Sequence, residues 1–119
     1  MSNPLIVSFQ DPLPPAESYR PDPVKVLAGD PVQSVANVFA SADGRFNCGI
    51  WEGQPGRWRV NFTENEFCHL LAGKVVVTGR DGTSRTFVAG DAFVMPAGFE
   101  GTWDVVEPAR KLYAVYEPA

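Results

Sequence analysis

The chain has a single histidine, His69, and only two cysteines, Cys48 and Cys68, among its 119 residues. Few histidines limit the ways in which a transition metal can be held. Two isolated cysteines do not make a disulfide framework, so a reducing, cytoplasmic setting is expected. No apolar run approaches the ~20 residues of a membrane helix, and residues 1–10 lack the charged segment and apolar core of a signal peptide. The ten basic residues are scattered and the net charge is −4. Phosphate binding needs clustered Lys and Arg, so a nucleic-acid partner is not expected. No window carries the 3.6-residue apolar stripe of an amphipathic helix.

What is present is apolar and aromatic. Hydrophobic residues make up 45% of the chain, with eight Phe, three Trp and three Tyr. That is enough to build the core of one domain. Seven of the eleven prolines fall within the first 31 residues, from Pro4 to Pro31. Proline has no backbone donor and a fixed φ, so this stretch cannot form a regular helix or a central strand. It still carries Leu5, Ile6, Val7, Phe9 and Leu13. Residues 1–34 therefore read as an extended arm lying on the domain or on a second subunit, and residues 35–119 as the domain.

From Val35 onward, strand-like runs alternate with turn residues. The runs are Val35–Ser41, Phe46–Glu52, Arg57–Phe62, Glu66–Leu71, Lys74–Thr78, Ser84–Val88, Ala92–Met95, Gly101–Val106 and Lys111–Glu117. Strands this short at this spacing predict an all-β sandwich or barrel. The clearest hairpin joins Lys74–Thr78 to Ser84–Val88 through Asp81-Gly82, where glycine supplies the positive φ of a tight turn.

Two spacings then carry a family resemblance. Glu66 is followed after six residues by Gly73, and Gly90 after five residues by Pro96 and, one residue later, Gly98. These are the close of the first and the opening of the second cupin motif. With Gly49-Ile50-Trp51-Glu52, Pro55-Gly56, Gly101-Thr102-Trp103-Asp104-Val105 and Arg110-Lys111, residues 46–117 resemble the small single-domain cupins related to the ureidoglycine aminohydrolase cupin domain. The resemblance implies a cupin double-stranded β-helix, a jelly-roll barrel. It also implies a metal held by two His on one strand, a third His after the second motif, and the Glu. Here the corresponding positions are Val60, Phe62 and Gly101 (Asn61 and Arg59 for a gap one residue longer), and only Glu66 remains. No metal and no cofactor is therefore expected.

Strand alternation places Glu66, Cys68 and Leu70 on one face and Phe67, His69 and Leu71 on the other. Cys68 and His69 thus point apart and cannot form a nucleophile–base pair. No catalytic residue is assigned. Trp58, Val60 and Phe62 face inward between Arg57, Arg59 and Asn61, with Trp103, Tyr113, Val115 and Leu70 as further lining. The expected ligand site is Glu66, Trp58, Val60, Phe62, Cys68, Trp103 and Tyr113. With no inward Lys or Arg evident, desolvation should disfavour charged Glu66. Three readings follow. The first is a metal-poor cupin that binds a small molecule. The second is a metal-dependent hydrolase of a ureido-type nitrogenous metabolite, and the third a structural module with a filled barrel. A homodimer is expected, with the arm and the Phe67/His69 face covered by the partner.

Overall fold

The computed structural model describes residues 3–118. Met1 and Ser2, where the expected arm starts, and Ala119, where the expected domain ends, lie outside the described residues. Among the described residues nine strands form a curled sheet: β1 Glu17–Tyr19, β2 Val26–Gly29, β3 Gln33–Ala40, β4 Phe46–Gly53, β5 Gly56–Asn61, β6 Asn65–Gly79, β7 Ser84–Val88, β8 Ala92–Met95 and β9 Glu100–Tyr116. The only helical element among the described residues is a 3₁₀ turn at Pro23–Lys25. No helix there is long and apolar enough to cross a membrane.

β9 is the spine. One edge of it pairs with β4 through residues 109–116 and with β5 through residues 100–105. The other edge pairs with β6 along almost its whole length. β6 in turn pairs with β8 through residues 66–69 and with β7 through residues 74–78. β3 and β1 extend the sheet beyond β4, and β2 extends it beyond β5. Every pair is antiparallel, as expected of an all-β jelly-roll barrel.

Four of the expected runs turn out to be two. Glu66–Leu71 and Lys74–Thr78 are halves of β6, and Gly101–Val106 and Lys111–Glu117 are halves of β9. The register between these strands shifts at Leu70/Ala72, Ala72/Lys74 and Lys74/Val75. Such bulges bend a strand without ending its pairing. Gly73 has φ +88° at this corner, and a side chain there would run into the Pro108 carbonyl. The sequence shows Gly and Pro as punctuation, but here they mark a bend and not a stop.

The Pro-rich stretch is partly in the sheet. β1 and β2 occupy opposite ends of the strand order, the positions at which a nearby proline removes no needed ladder bond. Just past the end of each, Arg20 Nε pairs with Asp30 Oδ1 at 2.8 Å. Before β1 the chain leaves the body of the fold, and Ile6 is 96% exposed.

The core gathers Trp51, Trp58, Cys68, Leu70, Val75, Val77, Met95, Trp103, Val105 and Ala109. Alternation is obeyed on β5, where Trp58 is buried between exposed Arg57 and Arg59. On β6, Cys68 and Leu70 are fully buried, while Phe67 and Leu71 are exposed and His69 lies between.

Candidate functional site

A cavity of about 400 Å³ opens inside the barrel, within the range of small-ligand sites. Of the expected site residues, Glu66, Trp58, Val60, Phe62, Trp103 and Tyr113 all line it, as does Val115. Phe62 lies just past β5 and is kept in place by two backbone bonds, from its own N–H to the Phe99 carbonyl (2.9 Å) and from the Gly98 N–H to its carbonyl (2.6 Å). Two expected lining residues do not reach the cavity. Cys68 and Leu70 have the right strand phase but lie behind the wall, where both are fully buried in the core. Alternation fixes the face and not the depth.

Chief among the residues missed at the site is Lys111. It lies on β9 opposite Trp51 of β4 and Leu70 of β6, and it is 5% exposed. Its Nζ donates to Glu66 Oε2 at 2.7 Å and lies 3.6 Å from Cys68 Sγ. The same nitrogen stands 4.4 Å from the centre of the Trp103 ring and 4.7 Å from that of Trp51. The two indoles meet edge to face at 79°. Glu66 thus has an inward cation after all, and the expectation of an uncompensated carboxylate is corrected. The signal was in the sequence, because Lys111, Tyr113 and Val115 share one phase of β9.

Burial alone would push the Lys111 ammonium down, but the Glu66 carboxylate and Cys68 beside it together hold the lysine above its ordinary value. Burial, with the Glu66 charge adding to it, pushes the Cys68 thiol up to about 12 despite the nearby ammonium. Cys68 is therefore a neutral thiol, and its hydrogen points to Glu66 Oε2 at 3.1 Å.

The remaining wall is polar and comes largely from β3 and β4. Trp51 Nε1 donates to Gln33 Oε1 at 2.9 Å, deep in the barrel. Tyr113 donates to Asn37 Oδ1 at 2.6 Å, and not to Glu66. Asn37 Nδ2 reaches Asn47 Oδ1 at 3.2 Å. Burial pushes the Tyr113 phenol up to about 12, helped by Cys48, Tyr19 and Glu66. Tyr19 of β1 closes one side, so the Pro-rich stretch contributes directly to the cavity. Trp103 Nε1 is buried without a partner among the described residues.

The positions that the cupin resemblance assigns to a metal can be tested against this geometry. Val60 and Gly101 lie opposite each other on β5 and β9, and Val60, Phe62 and Glu66 line one cavity. The places converge, but the donors do not. Val60 and Phe62 have no donor atoms, and any side chain at Gly101 would collide with the Thr78 carbonyl. Asn61 and Arg59 of the alternative count are exposed. One Glu66 oxygen is taken by Lys111. Among the described residues no three His, Cys, Asp or Glu side chains form a metal-sized cluster. The residues present do not fit a cupin metal, and the ammonium stands where a cation would meet the glutamate.

No curated protein matches the chain. Among solved structures, it is similar to a DUF861-family protein of unknown function from Pseudomonas syringae pv. tomato. The TM-score is 0.77 and the identity 25%, over 92% of this chain and 46% of that one. A DUF861-family protein from Thermotoga maritima is 39% identical with a TM-score of 0.53, over 54% of this chain and 73% of that one. The EutQ protein of Clostridium difficile shares the fold at 20% identity and a TM-score of 0.64, over 72% of this chain and 63% of that one. The chain therefore spans less than half of the Pseudomonas protein and less than two thirds of the clostridial one. The EutQ-like cupin domain model matches residues 40–113, from the end of β3 to Tyr113 on β9. With the jelly-roll barrel and this match, the chain belongs to the family of EutQ-like cupin domains.

Proposed function

We propose that this chain is a metal-independent cupin that binds a small organic molecule in the barrel cavity. The observation that carries this reading is the cavity itself, about 400 Å³ lined by aromatic rings, amide side chains and the Glu66 carboxylate. A barrel filled by its own side chains would leave no such space. The hydrolase reading finds less support, because its metal would need donors that Val60, Phe62 and Gly101 lack. Glu66 and Lys111 are held together and serve to bind and orient. The setting proposed is reducing and cytoplasmic, one in which the chain's two free thiols stay reduced.

A ligand-observed NMR screen of a chemically mixed fragment library tests the reading. Fragments are expected to bind wild type and to lose binding in Val60→Trp, which fills the cavity from its wall. A library in which nothing binds, or binding that survives Val60→Trp in a folded variant, would overturn it.

A further inference from the structure

The lining of the cavity has a pronounced chemical bias. Tyr19, Trp51, Trp58, Phe62, Trp103 and Tyr113 give it six aromatic side chains. It also contains two carboxylates, Glu64 and Glu66, against one ammonium, Lys111. That ammonium is already engaged by Glu66 Oε2 and by the faces of Trp51 and Trp103. It shows what these walls accept, since a positive nitrogen is held there by one carboxylate and two indole faces.

The carboxylates are not exhausted by it. Glu66 keeps a second oxygen with no hydrogen-bond partner among the described residues, and Glu64 has no hydrogen bond or ion pair there. Burial pushes the Glu64 carboxyl up, and the Glu117 and Glu66 charges add to this. That is the direction expected where negative charge lacks a counter-ion. An adjoining hollow shares Glu64 and Glu66 with the cavity and also contains Arg20, Lys25 and Arg59. Arg20 is taken by Asp30, and Arg59 Nη2 donates to the Val24 carbonyl at 2.6 Å. Lys25 lines that hollow and not the cavity.

Building on the small-molecule reading above, we propose that the ligand is a small organic ammonium ion. Its charge lies against Glu66 and Glu64, and its alkyl groups lie on Trp58, Phe62 and Tyr113. An anion would meet two carboxylates and an ammonium that is already paired. A neutral molecule without donor groups would leave Glu64 and the second oxygen of Glu66 without a hydrogen-bond partner.

The test titrates the full chain with tetramethylammonium and n-butylammonium chloride, followed by calorimetry at constant ionic strength. The controls are tert-butanol and 1-butanol as uncharged counterparts and sodium butyrate as the anion. The ammonium ions are expected to bind saturably and at least about tenfold more tightly than any control. Glu64→Gln is expected to weaken them about fivefold, and Phe62→Leu, which leaves both carboxylates in place, about threefold. Alcohols or butyrate binding as tightly as the ammonium ions would overturn the ligand class and leave the cavity reading intact. So would ammonium binding that neither variant changes. If none of these probes binds while the fragment screen succeeds, only the ammonium proposal falls. If the screen fails as well, both fall.

Discussion

Lys111 Nζ lies 2.7 Å from Glu66 Oε2, and their side chains are 6% and 15% exposed. Two charges removed from water this far depend on each other. Losing one partner strands the other, whereas replacing both by apolar groups of similar shape is often nearly neutral. Glu66→Gln, which desolvation of a lone carboxylate would make neutral or stabilising, is therefore expected to destabilise by about 3 kcal/mol at pH 7.5. Lys111→Met should fall by a comparable amount, and the double variant should recover much of the loss. Thermal melts of the four proteins of the cycle decide it. Additive losses would show that the two groups are not coupled.

Metal content follows from the same pair. Protein purified without chelator and freed of any affinity tag should carry well under one equivalent of Zn, Mn, Fe or Ni by elemental analysis. The donors at Val60, Phe62 and Gly101 are missing, and Lys111 occupies one oxygen of Glu66. One tightly bound equivalent would revive the hydrolase reading. Gly101→Ala should destabilise by about 2 kcal/mol, because the methyl has no room beside the Thr78 carbonyl.

Alkaline pH should expose Cys68. Its thiol is raised from an ordinary value of 9.0 to about 12 in the folded chain. Between those values the unfolded chain has lost the proton and the folded chain still holds it. The thiol's contribution to stability is therefore complete below pH 9 and is lost as pH rises toward 12. Lys111 and Tyr113, also raised from ordinary values of 10.5 and 10.0, add to the decline at higher pH. Cys68→Ala should flatten the stability curve between pH 8.5 and pH 10 in urea titrations, whatever it does to stability at pH 7. A curve of unchanged slope would mean that the thiol is not held neutral.

Assembly is expected to be dimeric. Phe67 and Val94 pair on neighbouring strands and are 49% and 59% exposed, and Leu5 and Ile6 stand free of the body. An exposed apolar patch marks an interaction surface, and the partner proposed for this one is a second copy of the chain. Sedimentation velocity at micromolar concentration should give a dimer that weakens in Phe67→Asp and in a chain lacking residues 3–16. A monomer at that concentration would contradict it.

The barrel was legible from spacing, because turn glycines and two-residue alternation are local signals. Glu66, Trp58 and Val60 could be turned inward from sequence for that reason. Lys111 escaped because a lysine is read as solvated unless its strand phase is followed through, although Tyr113 two residues later had already been turned inward. Gln33, Asn37 and Tyr19 escaped for another reason. They lie on β3 and β1, in or next to the stretch that its prolines mark as irregular, and only the pairing of β3 with β4 and of β1 with β3 brings them to the cavity. The depth of Cys68 is a property of packing between strands distant in sequence, and no local pattern encodes it.

The central place of β9 has a consequence for the order of events during synthesis. This strand supplies the pairing partner of β4, β5 and β6. Until residues 100–116 emerge, β5 has only β2 beside it, and β4 has only β3. The nascent chain can close its hairpins early but cannot close the barrel. Loop-closure entropy must be met for several distant pairings at once when the last long strand arrives. Folding should therefore be a late, single step that follows release of β9 from the ribosome. A chain stalled before that point would present the unpaired edges of β4, β5 and β6 to any other chain nearby.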